Sequence, residues 1–169
     1  MMRSYDERAK DFIKVLSPYC KGCKSRYDFE KAAYKFMSDH PNRKIQVKYG
    51  VSRVAFIISD YVIKVDYRHN DYKWAGNCAS EYYSYLRFQK DGFDYLVAAC
   101  SRYRCRNRYF YIMPKVNGIG NQNRDFWKAL NGKEEDYILL HCLDLHSGNY
   151  GWSRKTGKPV IIDYAATEF

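Results

Sequence analysis

Two carboxylates and a carboxamide stand close together towards the end of this 169-residue chain. Asp144 and Asn149 bracket the segment Asp144-Leu145-His146-Ser147-Gly148-Asn149, and Asp163 follows the apolar run Val160-Ile161-Ile162. Magnesium favours hard oxygen donors and keeps several waters, so one or two carboxylates and an amide oxygen suffice beside phosphate groups. A separate carboxylate is needed to orient an attacking hydroxyl and accept its proton. These groups match the needs of phosphoryl transfer from ATP. Elsewhere, Cys20-Lys21-Gly22-Cys23 has the spacing of half a zinc site; a second half could come from Cys100 and Cys105, or from His40, but no second pair has tight ligand spacing. The reading preferred for that pair is structural thiols in a turn.

The elements that must position these residues follow from periodicity. Phe12, Ile13, Val15 and Leu16 form the apolar side of a first helix, ending before Pro18. Phe29, Ala32, Ala33, Phe36 and Met37 form the stripe of a second, with Ser25 and Asp28 placed to cap it. Ile45 to Tyr49, Val54 to Ile58 and Tyr61 to Val65 read as an antiparallel three-stranded meander. A helix is expected over Asp71–Gln89 on the repeat Trp74, Cys78, Tyr82, Tyr85 and Leu86. Two more strands, Tyr95–Cys100 and Tyr109–Met113, are expected to be joined by a segment in which Arg102, Arg104, Arg106 and Arg108 alternate. On a strand, that alternation places all four arginines on one face. Short helices over Asp125–Leu130 and Glu134–His141 precede the Asp144–Asn149 loop. Two brief strands, 150–152 and 160–162, enclose a turn at 155–159. The expected class is α+β.

In this order the motifs resemble the protein-kinase-like superfamily, which includes aminoglycoside and choline kinases. Asp144 with Asn149 resembles its catalytic loop, and Asp163-Tyr164-Ala165 resembles its Asp-Phe-Gly motif. The resemblance implies that Asp144 is the catalytic base and that Asn149 and Asp163 are magnesium ligands. Val62-Ile63-Lys64 is similar to the Val-Ala-Ile-Lys strand, making Lys64 the phosphate-holding lysine and Glu81, in the next helix, its partner. Gly50 would lie in the loop over the phosphates. Tyr111-Ile112-Met113-Pro114-Lys115-Val116 resembles the hinge that reads the adenine edge, through Met113 and Lys115. The implied fold is a five-stranded antiparallel sheet plus one helix over 43–116, preceded by a helical extension over 1–42 and followed by a reduced second lobe over 117–169. The extra N-terminal helices are expected to pack under that lobe. The pattern departs from the family in having one glycine in the phosphate loop. It also has Cys142 where a histidine is usual, with His141 read as a packed core residue. His146 stands where protein kinases carry lysine, and Tyr164-Ala165 stands for Phe-Gly. Only four residues follow Ala165, so an activation segment and a helical substrate lobe are expected to be missing.

Composition bounds the partners. The formal net charge of +10, from 29 basic and 19 acidic residues, favours acidic partners. No apolar run reaches the ~18 residues of a membrane span, and the first residues do not read as a signal peptide, so a cytoplasmic protein is expected, in a host cytoplasm if phage- or pathogen-encoded. The six cysteines are then expected as reduced thiols. The function expected first is transfer of the γ-phosphoryl group of ATP, with Mg2+, to a hydroxyl of a protein substrate or activating partner. A pseudokinase-like binding module comes second and a small-molecule kinase third. Nucleic-acid binding, which the 18 tyrosines would serve by stacking, ranks last.

Overall fold

The computed structural model describes residues 4–67, 78–118, 123–142, 145 and 147–164. The chain divides into two compact units, Met1–Tyr72 with Ser101–Met113, and Lys73–Cys100 with Pro114–Phe169.

The first unit is a sheet with two helices on one face. Helix α1, Tyr5–Leu16, and helix α2, Arg26–Asp39, each start at a serine with a full capping box, Ser4 with Glu7 and Ser25 with Asp28. Such caps satisfy backbone donors that the first turn leaves orphaned, contributing about 1 kcal/mol each. The strands are β1 (Gln46–Tyr49), β2 (Arg53–Ile58), β3 (Tyr61–Asp66), β4 (Ser101–Cys105) and β5 (Arg108–Pro114), in the order β1-β2-β3-β5-β4. The β1–β2, β2–β3 and β4–β5 pairings are antiparallel. Period two sorts β3: Tyr61, Ile63 and Val65 are buried, whereas Val62, Lys64 and Asp66 are half-buried on the other face. The buried set meets Phe12, Ile13 and Leu16 of α1, Phe29 and Phe36 of α2, and Phe56, Phe110 and Ile112 of the sheet. Each phenylalanine buried there contributes roughly 1.5–3 kcal/mol. The N-terminal helices, expected to pack under a reduced second lobe, cover the sheet. Their apolar stripes and the sheet's inner face are complementary surfaces of one core.

The Arg-rich segment is itself a strand, not a connection. Ser101, Tyr103 and Cys105 of β4 turn to the helix side, where Ser101 bonds Asp6 and Cys105 meets Ser17. Arg102 and Arg104 face the other way, across from Tyr111 and Tyr109. Arg106 occupies the hairpin turn, so the alternation breaks there, and Arg108 emerges on the opposite face with Phe110 and Ile112. The four arginines do not share a face.

The second unit contains α3 (Cys78–Lys90), α4 (Asn123–Ala129), α5 (Gly132–His141) and a hairpin of β6 (Tyr150–Trp152) and β7 (Pro159–Ile161). Tyr95–Cys100 does not form the expected strand. Asp94–Leu96 is a 3-10 turn, and the apolar residues after it bridge to β7, where the Ala98 amide donates to Ile161 O at 2.8 Å. A short apolar run buried among other elements has the composition of a strand without its pairing. Helix α3 buries Cys78, Glu81, Ser84 and Phe88 while Leu86 is exposed, so its inner face is rotated from the Tyr82, Tyr85 and Leu86 expectation.

Candidate functional site

Asn149 and Asp163 are brought together by the β6–β7 hairpin. Pairing of Tyr150 with Ile161 sets Asn149 opposite Ile162, whose amide donates to Asn149 O at 2.7 Å. One residue on, Asn149 Nδ2 donates a long bond of 3.5 Å to the Asp163 carbonyl. Asn149 is buried at the end of the 3-10 turn Ser147–Asn149, and Asp163 is half-buried. The Asp163 backbone is left-handed, with φ at 62°. Asp and Asn adopt this conformation more readily than other non-glycine residues, at a cost of about 1 kcal/mol.

The next residue explains the turn. Tyr164 is buried and donates its hydroxyl proton to the Ala98 carbonyl, with its ring 6.1 Å from Phe88. Burial, and after it the charges of Cys100 and Glu81, push the Tyr164 phenol well above its ordinary range. Glu81 is wholly buried in α3 and lies within electrostatic reach of the residue that follows Asp163. An unpaired buried carboxylate costs several kcal/mol, and Glu81 has polar or electrostatic partners. The left-handed Asp163 thus links strand β7 to an anchor, Tyr164, and three expected site residues gather in one unit.

In the first unit, Lys64 is half-buried on β3, opposite Ala55. Gly50 follows β1, its amide donating to Arg53 O at 2.8 Å and its carbonyl accepting from Tyr67 Oη at 2.9 Å. A Cβ at Gly50 would come no closer than 3.5 Å to Arg53 O, so local packing does not demand glycine. Met113 is buried near the end of β5, and the chain passes to the second unit immediately after it, at Pro114 and the half-buried Lys115. Asp144, His146 and Ala165 lie outside the described residues.

Asp163 and Asn149 offer a carboxylate and an amide oxygen, a donor set that fits magnesium completed by phosphate and water. Among the described residues, no three His, Cys, Asp or Glu side chains form a metal-holding group. Cys20 and Cys23 are both buried, and burial raises the Cys20 thiol to about 12. His141 is half-buried rather than fully packed; it stacks at 4.4 Å on Tyr137, and its Nδ1 lies 3.3 Å from Arg87 Nη1. Two positions escaped the sequence reading. The Ala98 carbonyl that holds Tyr164 had no local signal, being 66 residues away. Gly151 leaves room for Val116, since a Cβ there would come within 2.9 Å of Val116 Cβ. An isolated glycine in a strand is the signal that marks such close approach. In comparisons with known proteins, the chain matches no family model and no curated protein.

Proposed function

We propose that the chain is an ATP- and magnesium-dependent phosphotransferase that delivers the γ-phosphoryl group to a hydroxyl of a protein partner. The observation that carries this reading is the pairing of Asn149 with a left-handed Asp163 at the end of an apolar hairpin. Backbone strain held between a strand and a buried anchor is characteristic of functional positions. The buried Glu81 in the same unit, and the crossing of the chain at Met113–Pro114, support the rest of the assignment.

In this reading Asp163 and Asn149 would hold the magnesium, whose positive charge would offset that of the phosphate groups. Lys64 binds phosphate oxygens, Glu81 orients that lysine, and Gly50 lies in the phosphate loop. Met113 and Lys115 offer main-chain groups to the adenine. Asp144 positions the acceptor hydroxyl and takes its proton. The net charge of +10 favours an acidic surface on the protein that carries the acceptor.

The test separates metal binding from folding. Magnesium–ATP should stabilise the protein by roughly 2.7 kcal/mol at a hundredfold excess over Kd. Asp163→Asn tolerates the left-handed backbone but loses the charge, and Asp163→Gly removes the strain as well. Both should lose the nucleotide-induced rise in Tm, while Asp163→Gly without nucleotide should melt no lower than the unmodified protein. Asp144→Asn should retain nucleotide affinity and lose ~10²–10⁴-fold in transfer. A Tm unmoved by millimolar magnesium–ATP would end this proposal. Nucleotide binding without transfer to any acceptor would leave the binding-module reading.

A further inference from the structure

The first unit contains a concave site separate from the residues assigned above. It lies between the turn that follows α1 and the β4–β5 hairpin, with a volume of about 260 Å³. Its charged lining residues are Lys21, Arg106 and Arg108; Ser17, Asn107 and Cys105 supply polar atoms, and among the described residues no carboxylate lines it.

Each cation is placed by a different constraint. Lys21 is exposed beside Gly22, whose positive φ of 79° turns the chain between the helices. Arg106 is exposed at the hairpin tip with φ at 52°, a conformation disfavoured for an arginine. Arg108 is half-buried, donating from Nη1 to Asp66 O at 2.9 Å and from Nη2 to Cys23 O, over the Phe29 ring at 5.0 Å. Both of its hydrogen-bond acceptors are neutral carbonyls, and the Asp66 carboxylate acts on it only through space. Burial lowers the Arg108 pKa, opposed by Cys20, Cys23 and Asp66 nearby. The Ser17 hydroxyl, which donates to Lys14 O at 3.5 Å and lies 3.2 Å from Cys105 Sγ, adds a polar group at the wall.

We infer that this pocket is a binding site for a small phosphate-bearing anion, with Lys21, Arg106 and Arg108 supplying charge and Ser17 and Asn107 supplying hydrogen bonds. A phosphate group suits a pocket lined by three cationic residues, because guanidinium and ammonium donors make short, charge-assisted bonds to its oxygens. The volume lies below the ~300–1,000 Å³ of sites for drug-sized ligands, so the site takes a phosphate group with a short organic stem. The left-handed Arg106 has a use here: it carries a guanidinium at the hairpin tip that lines the pocket.

Inorganic phosphate and phosphoserine are the probes, titrated into the full chain and followed by amide shifts of residues 105–108 and by alkylation of Cys105. Shifts at those residues and slower alkylation are expected, weakening as salt screens the charges. Arg106→Gly keeps the positive φ accessible while removing the charge, and should weaken phosphate at least tenfold without lowering Tm. Lys21→Gln should weaken it too. Asp163→Asn should leave these shifts intact, separating this site from the magnesium–nucleotide reading. Tighter phosphoserine than phosphate would assign the site to a phosphorylated side chain, and equal affinity to the free anion. Absence of shifts at 105–108 with millimolar phosphate, or unchanged affinity in Arg106→Gly, would overturn the inference.

Discussion

His141 accepts a hydrogen bond at Nδ1 only while its ring is neutral, and the donor, Arg87, is a permanent cation. Burial, followed by the Arg87 charge, holds the folded-state pKa below the ordinary histidine value. The unfolded chain therefore takes up this proton first as pH falls. Stability is intact above the unfolded value and declines below it. Thermal melts between about pH 7.5 and 5.5 should show a steeper fall for the unmodified protein than for His141→Gln; parallel curves would show that Arg87 and His141 are not coupled. At this scale the sequence was legible where spacing carries chemistry. Asn149 and Asp163 stand out by their motif, and the hairpin brings them together. What could not be read was support from afar: Tyr164 is held by a carbonyl distant in the chain, and no periodicity encodes that contact.

Elements were legible wherever one face is wet and the other dry. The β1–β3 meander and both N-terminal helices follow their periodicity, down to the capping Ser25 and Asp28. The segment 95–105 defeated that rule in both halves. Val97 and Ala98 are apolar because they are buried beside β7, whereas β4 is rich in arginine because only its other residues face α1. Amphipathic stripes on α1 and α2 require a covering surface, but many apolar surfaces satisfy that requirement equally. Gly151 is where element packing is tightest, with Val116 occupying the space of its missing side chain. Gly151→Ala should cost about 1–3 kcal/mol in urea denaturation, as overpacking does. Val116→Ala in that background should recover part of the loss. Strict additivity of the two substitutions would show that the collision is relieved some other way.

At the scale of the whole molecule, the first unit is interrupted in sequence: Met1–Tyr72 is completed by Ser101–Met113 only after a stretch that belongs to the other unit. Strand β5 is the neighbour of β3, yet more of the chain must be synthesised before it exists. A ribosome adds about 5–20 residues per second, so for seconds the nascent sheet ends at β3 with its backbone donors and acceptors unpaired. Chains arrested with residue 100 just outside the ribosome should be cut readily by protease within residues 4–66. Chains arrested after residue 113 has emerged should resist. Equal resistance at both points would mean that the helices and three strands hold without the hairpin. On this timetable the arginine-rich hairpin closes the open β3 edge, and its charges make the new edge, β4, a poor template for a neighbouring nascent chain.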